Sequence, residues 1–378
     1  MRRGDRWLLG LALLLSAVGL VMVYSAGSFH AFVRYGDSNH FLRQQLVRTV
    51  LGIGVLLACS RLSLRRLEML APWLLAGSCV LLAMVVVIGH MSNGATRWLR
   101  LGFMSLQPTD LGRLAAVVFL AWWLKRHPPE ASGFLRGVMA PLAVIGVLAV
   151  LILLQPNLSS AGLLMITALI MTFLAGARIA HLMVPVGSGA LAVGLALATH
   201  PYQMKRVASF IGFLFHGTLD SRGAGWQLDQ SLIAIGSGGW FGRGLGGGHQ
   251  KYLFLPEAHT DFIFSILAEE LGFLGATVLF LMLAVYVVRG MRAAARSTDS
   301  FASLVASGLV IQVGLYALVN LAVATGLAPT TGLPLPFVSY GGSALLANLA
   351  AAGIVFRVSA NAEEREALAR QRFSRAES

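Results

Sequence analysis

The ten residues Leu255-Pro256-Glu257-Ala258-His259-Thr260-Asp261-Phe262-Ile263-Phe264 set two acids and a histidine directly before an apolar run that continues to Val288. The chain has only 16 acidic residues, so this is a concentration of ionisable chemistry at what reads as a membrane edge. Ionisable groups at such depth are costly and mark function by default. A carboxylate there suits general-base work, because burial raises its pKa toward neutrality. A plainer reading has Thr260 or Asp261 capping the helix that follows, and the ten residues alone leave both open. Glu269 and Glu270 lie further into the same run. Eight residues of helix turn about 80° and rise about 12 Å. Glu269 therefore either shares a cavity with Asp261 or pairs with a neighbouring helix.

The elements that must position these residues are membrane spans. The 378 residues are 57% hydrophobic and 12% charged, against roughly 25% charged in soluble domains. Apolar stretches of spanning length recur ten times, at about 7–26, 44–60, 68–90, 111–124, 137–154, 158–176, 178–199, 262–288, 300–325 and 342–358. The expected fold is an all-α integral membrane protein of about ten transmembrane helices, with a long loop, about 200–261, between the seventh and eighth. One polytopic domain covers 1–359. The charged tail 360–378 is read as a solvated segment, with a short charged helix as the alternative.

An even number of spans puts both termini on one side, and that side holds 18 of the 29 Lys and Arg residues. The positive-inside rule then makes both termini cytoplasmic. The net charge of +13 reads as topology and contact with anionic membrane lipid rather than nucleic-acid binding. The opening Met1-Arg2-Arg3-Gly4-Asp5-Arg6 before an apolar run imitates a signal peptide, but the spans that follow favour an uncleaved first helix. Cys59 and Cys79 fall in or beside spans and supply neither a disulfide framework nor a metal site.

Unusual polar residues gather on the opposite, extracytoplasmic side. Arg97-Trp98 precedes Gln107-Pro108-Thr109-Asp110 and Arg113; Gln155-Pro156-Asn157 joins two spans; the long loop carries Lys205-Arg206; and Gly332 to Ser343 includes Ser339. Trp98 also suits a plain interfacial anchor. Arg113 shares a helix face with Asp110 and needs a buried anionic partner, either that acid or a ligand phosphate. The glycine run 236–248 lacks the preceding strand of a dinucleotide fingerprint. It reads as a membrane-surface or re-entrant loop whose N–H groups are free to approach a ligand.

Taken together, Asn93 to Leu99, Gln107-Pro108, Gln155-Pro156, Gln230 to Ala234 with Gly236 to Gly239, Pro256 to Gly272, and Gly332 to Ser343 resemble the SEDS family of bacterial cell-wall synthesis, the FtsW, RodA and SpoVE proteins. The resemblance runs from the first span to the last. Pro256 to Phe264 and Ala328 to Gly332 look more like FtsW than RodA. It implies a GT-C-like polytopic glycosyltransferase of the bacterial cytoplasmic membrane that polymerises lipid II at the outer face, in division or elongation, with a class B penicillin-binding protein as partner. Asp261 would be its catalytic acid. The substrate-binding candidates are Arg97, Trp98, Gln107, Arg113, Lys205, Arg206, His259, Thr260, Glu269 and Ser339, with Arg113 and Lys205-Arg206 favoured for the pyrophosphate.

A divalent cation, Mg²⁺ or Mn²⁺, is expected for pyrophosphate chemistry, although no Asp-x-Asp pair marks its ligands. Two motifs depart from the family. Its Gln-Pro-Ser-Glu…Lys is Gln107-Pro108-Thr109-Asp110 with Arg113, which keeps the charges. Its Gln-Pro-Asp-Leu-Gly-Thr is Gln155-Pro156-Asn157-Leu158-Ser159-Ser160, which loses the acid and leaves the role of residue 157 open. A lipid II flippase is the rival reading, but flippases hold charge near the midplane, whereas these charges crowd one face. A division scaffold is the third.

Overall fold

The computed structural model describes residues 4–376 except 89, 93–94, 102–103, 200 and 217–222; the side chains of 88–97, 100–105, 196, 199–203, 216, 224 and 365–376 also lie outside that description. Helices dominate: α1 (Arg6–Tyr35), α2 (His40–Arg61), α3 (Leu64–Ile88), α4 (Pro108–Arg126), α5 (Pro129–Phe134), α6 (Ala140–Leu153), α7 (Leu158–Leu174), α8 (Ile179–Thr199), α9 (Pro201–His216), α10 (Ala224–Gly238), α11 (Ile263–Ala295), α12 (Ser300–Ala324) and α13 (Gly342–Ala376). A π-turn at Leu135–Met139 joins α5 to α6. Each of the ten predicted spans coincides with a helical segment. Among the described residues seven helices are long and apolar enough to cross a membrane, and 158–174 and 179–195 are shorter apolar helices. Helix is what an apolar run must form in lipid, where every backbone polar group has to be satisfied within the segment.

Caps fix several ends. Asp5 accepts from Trp7 N (3.1 Å), Asp299 from Ala302 N (3.3 Å) and Asn157 from Ser160 N (3.3 Å). Of the seven spanning helices, α13 has its most apolar stretch packed deepest within the bundle, 89% buried, against 22% for that of α11. Small residues let α13 sit so close: a Cβ on Gly353 would lie 2.4 Å from the Leu56 carbonyl oxygen of α2. At one end of the bundle ion pairs gather the helix termini. Asp5 meets Arg289 (3.0 Å), and Lys125 bridges Glu68 and Asp299 (2.9 Å each).

The all-α expectation holds, with three details that the sequence left out or left open. Short strands β1 (His90–Ser92), β2 (Ala95–Leu101) and β3 (Met104–Leu106) form an antiparallel meander between α3 and α4. Thr96 and Trp98 favour extended backbone, and nothing there has a helical apolar period. The long loop contains α9 and α10, so it is largely built structure. In the tail α13 continues to Ala376, the helical alternative of the two readings.

Candidate active site

The far end of the bundle from those ion pairs is organised around a break in α11. Gly272 adopts φ 68°, ψ −167°, which interrupts the helix about two turns in. The backbone groups it releases are taken up by the glycine run. Arg243 N and Gly244 N donate to the Glu269 and Glu270 carbonyls (3.0 Å each), while Phe273 N and Leu274 N donate to the Gly239 and Trp240 carbonyls (2.8 and 3.2 Å). So close an approach excludes side chains: a Cβ on Gly242 would lie 2.1 Å from the Glu270 carbonyl oxygen. Gly239 and Gly244 therefore pair with the backbone of α11 and Gly242 packs against it, whereas Gly246 and Gly247 stay exposed.

From that anchor the chain turns back toward α11 through Tyr252 N to His249 O (3.1 Å) and Leu255 N to Gln250 O (2.9 Å). Glu257, in the left-handed region at φ 54°, turns its carbonyl onto the N–H groups of Thr260, Asp261 and Phe262 (3.1, 3.1 and 3.3 Å). This tight turn sets Asp261 before the first residue of α11. It is tied to the loop 325–341 by three cross-links. Ser339 Oγ donates to the Thr260 carbonyl (2.5 Å) and Tyr340 N to the His259 carbonyl (3.0 Å). Asn320 Nδ2, from α12, donates to both the Asp261 and Leu333 carbonyls (2.8 and 2.7 Å).

Between these loops lies a cavity of about 350 Å³. Asp261 and Glu257 are its acids, and Arg206 of α9 is its described cation. Arg206 is held in place by donating to the Thr330 carbonyl (3.0 Å). Trp98, Gln107, Asn157, Gln227, Thr260, Asn320, Thr330, Thr331 and Tyr340 complete most of the polar wall. Such a space offers a carboxylate to take a proton and a guanidinium to neutralise an anion.

Of the predicted residues, Asp261, Trp98, Gln107, Arg206 and Thr260 thus come together. Others do not. Arg113 is 3% exposed inside the bundle, against Asp110 (3.5 Å), Asn348 (3.2 Å) and the Tyr316 ring (4.4 Å to its centroid). Its anionic partner is the acid one turn away. Lys205 is exposed and off the cavity wall. His259 is buried against Phe41 (ring centroids 4.4 Å) and Tyr340 (5.4 Å), and burial pushes its pKa down to about 4. It packs behind the wall as a neutral ring.

Glu269 accepts from His249 N and Gln250 N (2.7 and 3.2 Å), so it neither lines the cavity nor pairs with a neighbouring helix. Ser339, 4% exposed, receives Leu335 N (2.8 Å) and braces the Thr260 carbonyl. The Arg97 side chain lies outside the described residues. Asn157, where an acid was missed, caps α7 and lines the cavity.

Glu257, Tyr340, Gln227, Thr330, Thr331 and Asn320 line the wall without having been singled out by the sequence. For Asn320 a signal existed: a lone polar residue in the apolar run of α12.

Fold and site together define a polytopic helical membrane protein with a polar, two-signed cavity at the end of its bundle that carries Asp261. Residues 5–364 match the FtsW/RodA/SpoVE family, described as cell cycle proteins, and the chain belongs to that family. It is 38% identical to stage V sporulation protein E of Bacillus subtilis over 359 residues, 94% of this chain and 96% of that one. It is 39% identical to the probable peptidoglycan glycosyltransferase FtsW of Trichlorobacter lovleyi over 361 residues, 94% and 93% of the two chains. Its structure resembles the rod shape determining protein RodA of Thermus thermophilus, with a TM-score of 0.70 at 30% identity, covering 94% and 97% of the two chains. A chain from a peptidoglycan synthase complex that coordinates polymerization with crosslinking is similar at TM-score 0.78 and 31% identity, over 95% and 98%.

Proposed function

We propose that the cavity polymerises lipid II, with Asp261 as general base. The chain is a peptidoglycan glycosyltransferase and a multi-pass membrane protein. The FtsW and SpoVE relatives share 38–39% identity with it, and RodA 30%, which favours the FtsW-like division role over elongation. The basic-residue asymmetry supports cytoplasmic termini and a cavity facing the other side.

In the reaction the acceptor's 4-hydroxyl attacks the anomeric carbon of the growing chain and passes its proton to the Asp261 carboxylate. The bond from that carbon to the phosphate oxygen breaks, and its electron pair leaves with undecaprenyl pyrophosphate. Arg206 offsets that charge. Trp98 and Gln107 border the space for the sugars, and the polyprenyl chains stay in lipid. The observation that carries this reading is an acid and a cation on one polar wall, the acid's backbone bonded to Glu257 and Asn320 and its two preceding residues to Ser339 and Tyr340.

Among the described residues no three His, Cys, Asp or Glu side chains gather to hold a metal. One or two carboxylates plus substrate phosphates are a usual Mg²⁺ environment, and Asp261 with Glu257 fits it. A divalent cation there would supply charge neutralisation for the pyrophosphate. The coordination of polymerization with crosslinking in the similar complex supports a class B penicillin-binding protein as partner here.

The test is Asp261→Asn, which keeps the size of the side chain and cannot take the proton. Expression and partner binding should hold, while lipid II polymerisation by the purified protein falls about 10²–10⁴-fold. Near-normal glycan synthesis would remove Asp261 from the chemistry.

A further inference from the structure

Behind the segment that carries Asp261, three elements meet in a buried polar knot that the proposed chemistry does not use. Lys251 Nζ lies 2.7 Å from Glu270 Oε1, with the two side chains 5% and 0% exposed. Ser25 Oγ, from α1, donates to the same carboxylate (2.7 Å) and accepts from Lys251 Nζ (3.3 Å). One residue earlier, the Glu269 carboxylate takes the two backbone N–H groups just before Lys251. Tyr252 then packs edge-on against Phe29 of α1, ring centroids 4.9 Å apart. None of these residues lines the cavity.

A buried ion pair is a weak source of stability, because an apolar pair of similar volume does as well or better; its best-attested use is to specify register. Register is what this loop needs. A slip of one residue would set Gln250 or Tyr252 against Glu270 and leave a buried carboxylate without its cation. The chain from Lys251 to Asp261 is a succession of hydrogen-bonded turns, so a placement fixed at Lys251 is passed on to Asp261.

We infer that Lys251, paired with Glu270 and Ser25, is the positioning residue that fixes where the Asp261 carboxylate stands in the cavity; this rests on Asp261 being the base. Lys251 touches no substrate and acts only through the loop.

The experiment measures lipid II polymerisation by the purified full chain, resolving kcat from KM, for Lys251→Ala, Lys251→Arg, the double variant Lys251→Met/Glu270→Met, and Asp261→Asn in parallel. A misplacement of about 1 Å costs about 10²-fold, so Lys251→Ala should lower kcat by that order with KM within about threefold of wild type. Lys251→Arg should recover most of the loss. The double variant leaves no unpaired buried charge and replaces the single one if that fails to fold; its kcat should stay low as well. A folded Lys251→Ala or double variant with wild-type kcat, or a change confined to KM, overturns the inference while an inactive Asp261→Asn leaves the base in place. An active Asp261→Asn would instead remove the base, and the inference with it.

Discussion

Asn320 joins the two loops that face each other across the cavity, so its loss should be felt in both stability and rate. Its Nδ2 serves two carbonyls, Asp261 O and Leu333 O, from a side chain 1% exposed, while its Oδ1 has no hydrogen-bond partner. Asn320→Leu keeps the volume and removes both donors. An unsatisfied buried carbonyl costs about 1–3 kcal/mol; counting Leu333 in full and the partly buried Asp261 carbonyl in part gives about 2–4 kcal/mol. Removing the orphaned Oδ1 returns about 1 kcal/mol, which leaves a net loss of about 1–3 kcal/mol. Asn320→Asp should be worse, because it turns a carboxylate toward two carbonyls. Unfolding of the purified chain in one fixed detergent reads the stability, and lipid II polymerisation under saturating substrate reads kcat, expected to fall about tenfold as the base loses its tie. Wild-type stability and kcat in Asn320→Leu, or an Asn320→Asp no worse than wild type, would refute the account of Asn320 as the joint.

Arg113 and Asp110 should behave as a buried pair rather than as a substrate clamp. Arg113→Met or Asp110→Asn alone should destabilise by about 3–5 kcal/mol, and the double variant by clearly less than the sum, read in a double-mutant cycle of unfolding free energies. His259 supplies a pH dependence. Its imidazole titrates at about 4 when folded against 6.5 ordinarily, so between those values the unfolded chain takes the proton and the folded one does not. This contribution is full above pH 6.5 and is lost as pH falls through 4, about 3 kcal/mol in all. Acid titration of stability should show it, and His259→Phe should flatten the slope in that window.

The spans were legible because lipid leaves a long apolar run no choice but helix, and the acid at 261 because charge beside such a run is rare. What the other motif residues do was not legible. His259 and Ser339 sit in conspicuous motifs, yet one is a packed ring and the other a brace, since only tertiary contact decides which polar group faces a cavity. Arg113 showed the need for an anion but not which anion. The glycine run announced close approach without naming what approaches, because its partner is a helix break at Gly272, about 30 residues further on, in a run that reads as one continuous span. The short meander after α3 was missed for want of any period long enough to register.

That helix break also constrains how the protein is made. A span with an internal gap would expose bare amide groups to hydrocarbon, and here the groups that cover them come from residues 239–244. Those residues leave the ribosome before Glu269 to Leu274 do, so the patch is synthesised ahead of the hole it fills. Membrane insertion of this span and closure of the loop over it are then one assembly step. A chimera between family members should therefore exchange residues 239–274 as a block: a donor loop without its own span, or the span without its loop, would arrive with unmatched backbone and be cleared by quality control.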